Sequence, residues 1–424
     1  MSRKYNPNQI HSAGYLGQNK RKGQTEGKMK RNGIWVLAVV VVLVSGFSFT
    51  VAAEEGVTDT EIHIGQWGPQ TGPAAPWGSV ARGTAAFFKM INDAGGIHGR
   101  KIVYHMFDDG YNPAKTMAGV KELQEGVGIF AWASGVGTAP GMAVRDYLME
   151  RKVPWVGAAS GSHHWITPPE KYQFATYPLY YNEAMALCRY AIKTLGSKKI
   201  AMAYQNDGYG KNGVEGAENE LKKHGLELVA KVPVESKDTD LKSHVMKMKK
   251  AGADTVLLWV NPTHGITIMG TAKAMQFEPQ WMSVSTLSDF PLMYKISKGL
   301  WEGVITGSFA DLPDSETPLM KKYKQAYEKY AAKEERWGIF YYAGFGFIEP
   351  MVEALNLSGR DLTRERFVKE MEGIKNFKGI MGTLNFKPFD PNDPSSRLGT
   401  NEVFLIKCLA DGKYEKLTDW MTVD

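Results

Sequence analysis

The sequence predicts an α/β protein of two domains, each a mostly parallel sheet covered by helices. Three observations carry this. The 424 residues exceed what a single hydrophobic core usually organises and suit two. From residue 60 onward, short β-rich runs alternate with amphipathic helical stretches, the pattern of parallel strands joined by helical crossovers. Two stretches rich in small and hydroxyl residues, 134–138 and 159–162, each follow an apolar strand-like run. Open α/β sheets bind ligands at such carboxyl-end loops.

Residues 1–53 stand apart from this pattern. Lys28, Lys30 and Arg31 precede an uncharged apolar run from Ile34 to Val44, and Val51-Ala52-Ala53 leads into Glu54-Glu55. A positive flank, a short apolar core and a small-x-small site read as a secretory signal peptide cleaved near Ala53. The core of about 11 residues is shorter than the ~20 a membrane span needs. Residues 1–28 are polar and without periodicity, and Met29 is read as the true start. No cysteine near Ala53 suggests a lipoprotein anchor.

The leader also explains the charge. The formal net charge is +6, but residues 1–53 hold eight Lys or Arg and the single acid Glu26. From residue 54 onward 43 basic residues meet 44 acidic ones, so the folded part has no basic excess for nucleic acid or another polyanion.

The elements then follow in order. Ile62–Trp67 reads as a strand, and Val80–Asn92 as a helix with Ala81, Ala85, Phe88 and Ile91 at helical spacing. Gly95-Gly96-Ile97-His98-Gly99 stops that helix. Lys101–Phe107 is the next strand, and Asp108-Asp109-Gly110 a turn before a helix at Pro113–Glu125. Gly128–Ala133 and Val153–Ala158 read as buried strands around the helix Met142–Arg151. Strands at Lys199–Tyr204, Leu226–Val234 and Thr255–Trp259 alternate with helices at Gly213–His224 and Leu241–Ala251. Helical segments at Pro318–Lys333, Phe340–Asn356 and Leu362–Met371 precede β-like runs at Thr383–Phe386 and Glu402–Ile406. Pro388–Arg397 reads as an exposed loop.

Catalytic and cofactor motifs are weak. Gly135-Val136-Gly137-Thr138-Ala139-Pro140 resembles a dinucleotide loop, but Pro140 stands where the third glycine belongs. Ser160 lies in Ala158-Ala159-Ser160-Gly161-Ser162, which is no nucleophile elbow. His163-His164 are adjacent, so they do not converge as i,i+4 ligands do, and no Cys/His set accompanies them. Asp108-Asp109 suit turn and capping roles. The sequence thus predicts no enzyme, no cofactor and no metal site. Cys188, in an apolar-periodic helix, and Cys408, in a strand-like run, favour two buried free thiols, with a bridge left open. The loops 134–138 and 159–162 suit binding, since small residues let backbone N–H groups approach an anionic group near a helix N-terminus. Ordinary tight turns remain the alternative.

Several segments in order resemble one family. They are Ile62-His63-Ile64-Gly65, Thr71-Gly72-Pro73, the Gly83–Ile91 helix running into Asn92-Asp93-Ala94-Gly95-Gly96-Ile97-His98-Gly99-Arg100, and Asp108-Asp109 with Pro113-Ala114. Lys152-Val153-Pro154, Asp207-Gly208-Tyr209-Gly210 and Ala251-Gly252-Ala253-Asp254 follow. Over about residues 60–410 the chain resembles the periplasmic branched-chain amino-acid-binding proteins of ABC transporters, with their two-lobed type I fold. Gly137-Thr138-Ala139-Pro140 followed by Ala143–Leu148 resembles a subgroup with less uniform ligands. The resemblance implies lobe one at 57–177 plus 310–384, lobe two at 178–309 plus 385–424, and a hinge of three crossovers. It further implies a periplasmic monomer that closes on a small molecule and is recognised by a membrane permease.

Carried over residue by residue, the resemblance implies a ligand carboxylate held by the loops around Ser134, Gly135 and Thr138 and around Ala159, Ser160 and Gly161. Trp77 would cover the ligand from lobe one, and Tyr209 would reach it from lobe two, with a further contact near Asn261-Pro262. Where the amino-acid binders carry an acid for the ligand's ammonium, this chain has Ser285. A buried ammonium without a carboxylate costs several kcal/mol, unless Asp289 or another acid substitutes. Trp67, Trp77, Trp259 and Tyr209 could line an apolar pocket, with Trp259 also readable as core. The expected ligand is a carboxylate, a branched or aromatic amino acid slightly ahead of an aromatic acid without an amine. Two other classes compete: a periplasmic ligand sensor that reports to a receptor, and, far behind, a secreted hydrolase.

Overall fold

In the computed structural model residues 54–422 are described; the signal-like segment, the Met29 start and the cleavage site near Ala53 lie outside the described residues. The first sheet contains β1 (Glu61–Trp67), β2 (Lys101–Phe107), β3 (Ala131–Ala133), β4 (Trp155–Val156) and β5 (Gln173–Phe174). Its order is β2-β1-β3-β4-β5 and every pairing is parallel. The second sheet contains β6 (Ile200–Gln205), β7 (Ala230–Val234), β8 (Thr255–Trp259), β9 (Gln280–Ser283) and β10 (Ile305–Ser308). These run parallel in the order β10-β9-β8-β6-β7. A hairpin of β11 (Phe377–Gly379) and β12 (Gly382–Leu384) stands apart. Then β13 (Glu402–Cys408) pairs antiparallel with β10, and β14 (Tyr414–Lys416) and β15 (Met421–Thr422) pair antiparallel with β13.

Two helix-flanked sheets make this a two-lobed α/β fold, the architecture that the resemblance implied. The central strands are apolar because helices cover both faces: all five residues of β8, Thr255-Val256-Leu257-Leu258-Trp259, are buried. The helix Ser79–Asp93 buries Val80, Ala81, Thr84, Phe87 and Phe88, one amphipathic face. It packs on Ile339–Gly346, whose every residue is buried. Glycine allows the close approach: a Cβ on Gly83 would lie 1.8 Å from the Tyr341 carbonyl oxygen, and one on Gly344 would lie 2.1 Å from that of Val80.

Most boundaries fall within a few residues of the sequence reading, and the differences have local causes. The helix after β3 begins at Thr138 rather than Met142; its Thr-Ala-Pro first turn has no apolar periodicity, yet proline is tolerated there. The helix after β6 begins at Gly208 rather than Gly213, capped by Asp207, whose carboxylate accepts the Tyr209 and Gly210 amides. Such a cap contributes about 1 kcal/mol. A helix at Pro262–Ala274 escaped the reading because Gly265 and Gly270 interrupt its pattern. The stretch 340–356 divides into helices Ile339–Gly346 and Glu349–Ser358.

The chain crosses between the sheets after β5, after β10 and before β13. The first and third crossings run side by side. Ala175 pairs with Leu398 in a parallel bridge, its amide donating to the Arg397 carbonyl at 2.9 Å and its carbonyl accepting the Gly399 amide at 2.8 Å. Arg397, read from sequence as part of an exposed loop, is fully buried. Its guanidinium pairs with Glu372 at 2.6 Å and stacks over Phe174 and Phe389. Cys188 and Cys408 are both free and buried. No helix among the described residues is long and apolar enough to cross a membrane.

Candidate functional site

The carboxyl ends of the parallel strands in both sheets open onto a common cleft. After β3 the chain turns through Ser134, Gly135 and Gly137, all with positive φ, into the helix beginning at Thr138. After β4 it runs through Ala159, Ser160 and Gly161. Val136 and Ala159 form a parallel bridge, with the Ala159 amide donating to the Gly135 carbonyl at 3.0 Å. This brings the Thr138 and Ser160 hydroxyls to 2.7 Å of each other, buried at the first turn of that helix.

Between the sheets lies a partly open cavity with about 440 Å3 of empty space, open solvent included. Of the residues predicted from sequence, Trp77, Thr138, Ala159 and Tyr209 form its wall. The rest of the wall is Val80, Tyr111, Val136, Gly137, Tyr177, Tyr180, Thr286, Phe309, Phe340, Ala343 and Phe347. No charged side chain is among these. Aromatic contacts organise the lining: Trp77 meets Tyr209 edge-on at 6.1 Å, Tyr180 meets Tyr209 at 5.1 Å, and Phe309 stacks with Phe347 at 5.6 Å.

The walls are bound to each other across the cleft. Trp77 Nε1 donates to the Thr286 carbonyl at 2.8 Å, and Thr263 Oγ1 to the Pro73 carbonyl at 3.0 Å. Ser162 Oγ donates to Asn212 Oδ1 at 2.8 Å, and the Phe340 amide donates to Asp289 Oδ2 at 3.0 Å. Burial raises Asp289 to about 6. The Tyr209 hydroxyl sits between Thr286 Oγ1 at 2.8 Å and the Val260 carbonyl at 3.3 Å, and burial holds its pKa well above the ordinary value.

The remaining predicted residues lie behind this wall. Ser134 is buried, and its hydroxyl has no partner. Gly135 packs on the Trp67 ring and Gly161 on Pro178 and Tyr180. The Tyr180 amide donates to the Gly161 carbonyl at 2.7 Å. Asn261 caps the helix Pro262–Ala274, accepting the His264 amide at 2.9 Å. Ser285 is one residue short of the wall, where its neighbour Thr286 stands. It bonds instead to Glu183, its amide to Oε1 at 2.5 Å and its hydroxyl to Oε2 at 2.7 Å. Trp67 belongs to the core with Trp132 and Trp155. Trp259 is also core, against Tyr180.

Several wall residues were missed in the sequence. Tyr177 lies on the first crossing and Tyr180 opens the helix after it, Phe309 stands just after β10, and Phe340 and Phe347 in or after an apolar helix; nothing local distinguishes them from core. Tyr111 had a signal, the Asp108-Asp109-Gly110 turn. Asp108 accepts the Gln70 and Gly110 amides and Asp109 accepts the Tyr111 amide, which sets Tyr111 at the cleft, while Asn112 caps the next helix. His163 and His164 form a short 3-10 turn. No group of three or more His, Cys, Asp or Glu among the described residues could hold a metal ion.

The sequence profile of a family described as periplasmic binding protein matches residues 61–395. A Leu/Ile/Val-binding protein homologue of Brucella melitensis is 29% identical over 197 residues, 46% of this chain and 53% of that protein. This chain therefore spans about half of that relative's length. Among solved structures, a fatty acid ABC transporter substrate-binding protein from Thermomonospora curvata superposes with TM-score 0.78 at 23% identity, covering 88% of this chain and 95% of that one. A branched-chain amino acid ABC transporter protein from Thermus thermophilus with bound valine superposes with TM-score 0.77 at 19% identity, covering 86% and 97%.

Proposed function

We propose, on the premise that this chain belongs to the periplasmic binding protein family, that it is the exported solute-binding component of an ABC importer. In this reading the periplasmic monomer closes two lobes, 57–177 plus 310–384 and 178–309 plus 385–424, on a small carboxylic acid with an apolar body. The closed form is then presented to a membrane permease. No bond is made or broken.

The observation that carries the ligand class is the wall itself: aromatic on nearly every side, free of charged side chains, with Thr138, backed by the Ser160 hydroxyl, at a helix N-terminus. An aromatic or aliphatic body would gain from burial there at about 25 cal/mol per Å2. The hydroxyls and the amides of the first helical turn are suited to a carboxylate. An α-ammonium would have no carboxylate at the wall, and that imbalance costs several kcal/mol. The uncharged wall thus supports an acid without an amine ahead of the amino acid that the sequence placed first.

A branched-chain amino acid is the second reading. It is favoured by what the Brucella and Thermus relatives are said to bind. Thermal-shift screening of benzoate and phenylacetate against leucine, valine and phenylalanine separates the two. A ligand at about 100 times its Kd adds about 2.7 kcal/mol to stability. Stabilisation by the amino acids alone would overturn the first reading.

A further inference from the structure

Behind the wall stands an acid that the reading above does not use. Glu183, on the helix Tyr180–Lys193, is fully buried and makes no ion pair with a basic side chain among the described residues. Its carboxyl group meets Ser285 twice, through the Ser285 amide at 2.5 Å and hydroxyl at 2.7 Å. The Ser285 hydroxyl in turn lies 2.7 Å from the hydroxyl of Tyr177, a wall residue. Glu183, Ser285 and Tyr177 therefore form an unbroken chain of oxygens from the core to a residue of the cavity wall.

Each hydroxyl carries one proton, so the two states of Glu183 impose opposite directions on this chain. An ionised carboxylate can only accept. Ser285 then donates to Glu183, Tyr177 donates to Ser285, and the Tyr177 oxygen has only lone pairs left for the cavity. A protonated carboxyl group can donate to Ser285, which donates to the Tyr177 oxygen, and the Tyr177 O–H is released toward a ligand. We propose that Glu183, acting through Ser285, decides whether Tyr177 offers the cavity a donor or an acceptor. A carboxylate ligand then binds with uptake of one solvent proton by Glu183 wherever that group is ionised in the free protein. This rests on the carboxylic-acid reading of the site.

The surroundings of Glu183 suit a group that can hold a proton at neutral pH. The crossing before its helix brings Tyr177, its own helix Tyr180, and the helix Gly208–Lys223 Tyr209; burial holds all three phenols above their usual range, hence uncharged. Strand β10 presents Gly307, where a Cβ would lie 2.2 Å from Glu183 Oε1. The turn after β9 presents only Ser285. Burial raises Glu183 to about 8, with the two Ser285 hydrogen bonds opposing it.

The test has two arms on the full-length protein. In the ligand-free arm, infrared spectroscopy follows the protonated-carboxyl band that disappears in Glu183→Gln. It should be present near pH 7, vanish as pH rises through about 8, and shift its midpoint in Ser285→Ala. The lack of any Glu183-dependent carboxyl band that titrates between about pH 5 and pH 10, or a midpoint unmoved in Ser285→Ala, overturns the proposal whether or not a ligand is known. In the second arm, calorimetry uses sodium benzoate as probe. Affinity should fall about 30-fold between about pH 7 and pH 9.5, with buffer-dependent heats reporting proton uptake. Both effects should vanish in Glu183→Gln, whose amide donates to Ser285 at every pH. An equal fall in Glu183→Gln overturns the proposal. Failure of benzoate to bind either protein at any pH counts against the carboxylic-acid reading, and the infrared titration then decides the proton chain alone.

Discussion

Replacing Trp77 by phenylalanine tests whether the cleft is held closed by the bond that crosses it. The indole N–H donates to the Thr286 carbonyl at 2.8 Å, joining a short helix of the first lobe to the turn after β9. Phenylalanine keeps a ring against Tyr209 and removes only that donor and part of the ring. A net hydrogen bond contributes about 1 kcal/mol, and leaving the Thr286 carbonyl buried without its partner adds a further cost of about the same size. The closed, ligand-bound form should therefore lose about 1–2 kcal/mol, which is about 5- to 30-fold in affinity. In the open form both groups face water and lose nothing. Isothermal titration should show the weakened binding, while urea unfolding of the ligand-free protein should stay within about 0.5 kcal/mol of wild type. Unchanged affinity would refute the cross-cleft bond as a clamp. A loss of ligand-free stability as large as the loss of affinity would make Trp77 a core residue instead.

Other consequences can be checked directly. Thr138→Val removes one hydroxyl of the pair with Ser160 and should weaken benzoate about tenfold; an equal loss for neutral benzamide would argue against a carboxylate at that end. Gly83→Ala places a methyl group 1.8 Å from the Tyr341 carbonyl, so two helices must move apart at a cost of about 2 kcal/mol or more, read as a lower urea midpoint. Burial raises Asp289 to about 6, Glu349 to about 7 and Glu183 to about 8. Their folded values exceed their unfolded ones, so the stability they contribute is full below about pH 4 and is lost as pH rises through 6–8. Unfolding free energy should decline from about pH 4.5 to about pH 8 and level off above that, less steeply below about pH 7 in Glu349→Gln, and a flat or rising profile over that range would contradict the burial of these acids.

The architecture was legible because it is written in local periodicity. Ile62–Trp67 and Lys101–Phe107 alternate or run apolar as strands do, and Pro113 follows the Asn112 cap, so each announces itself within a few residues. The loops at 134–138 and 159–162 could be located for the same reason, and Val136, Gly137, Thr138 and Ala159 from them reach the cavity wall. The aromatic wall was not. Tyr177, Phe309, Phe340 and Phe347 come from distant segments, and each resembles core until the fold turns its ring toward a common space. Glu183 was hidden more thoroughly, since a carboxylate in the first turn of a helix usually reads as a partner for the helix dipole. Ser285 could be noticed only as a missing acid, and the acid that answers it arrives from another element 102 positions away.

The pairing of Ala175 with Leu398 has a mechanical consequence. A hinge of independent strands could bend, twist or slide, and the lobes could reach many open arrangements. Two of the three crossings here are laced together by backbone hydrogen bonds, and Arg397 rivets the later one to Phe174 and Glu372. Coupled ribbons resist shear and torsion far more than flexure. In the proposed closing motion, opening should then reduce to a swing about one axis, like a door on two pins, with each closure returning Trp77 to the Thr286 carbonyl.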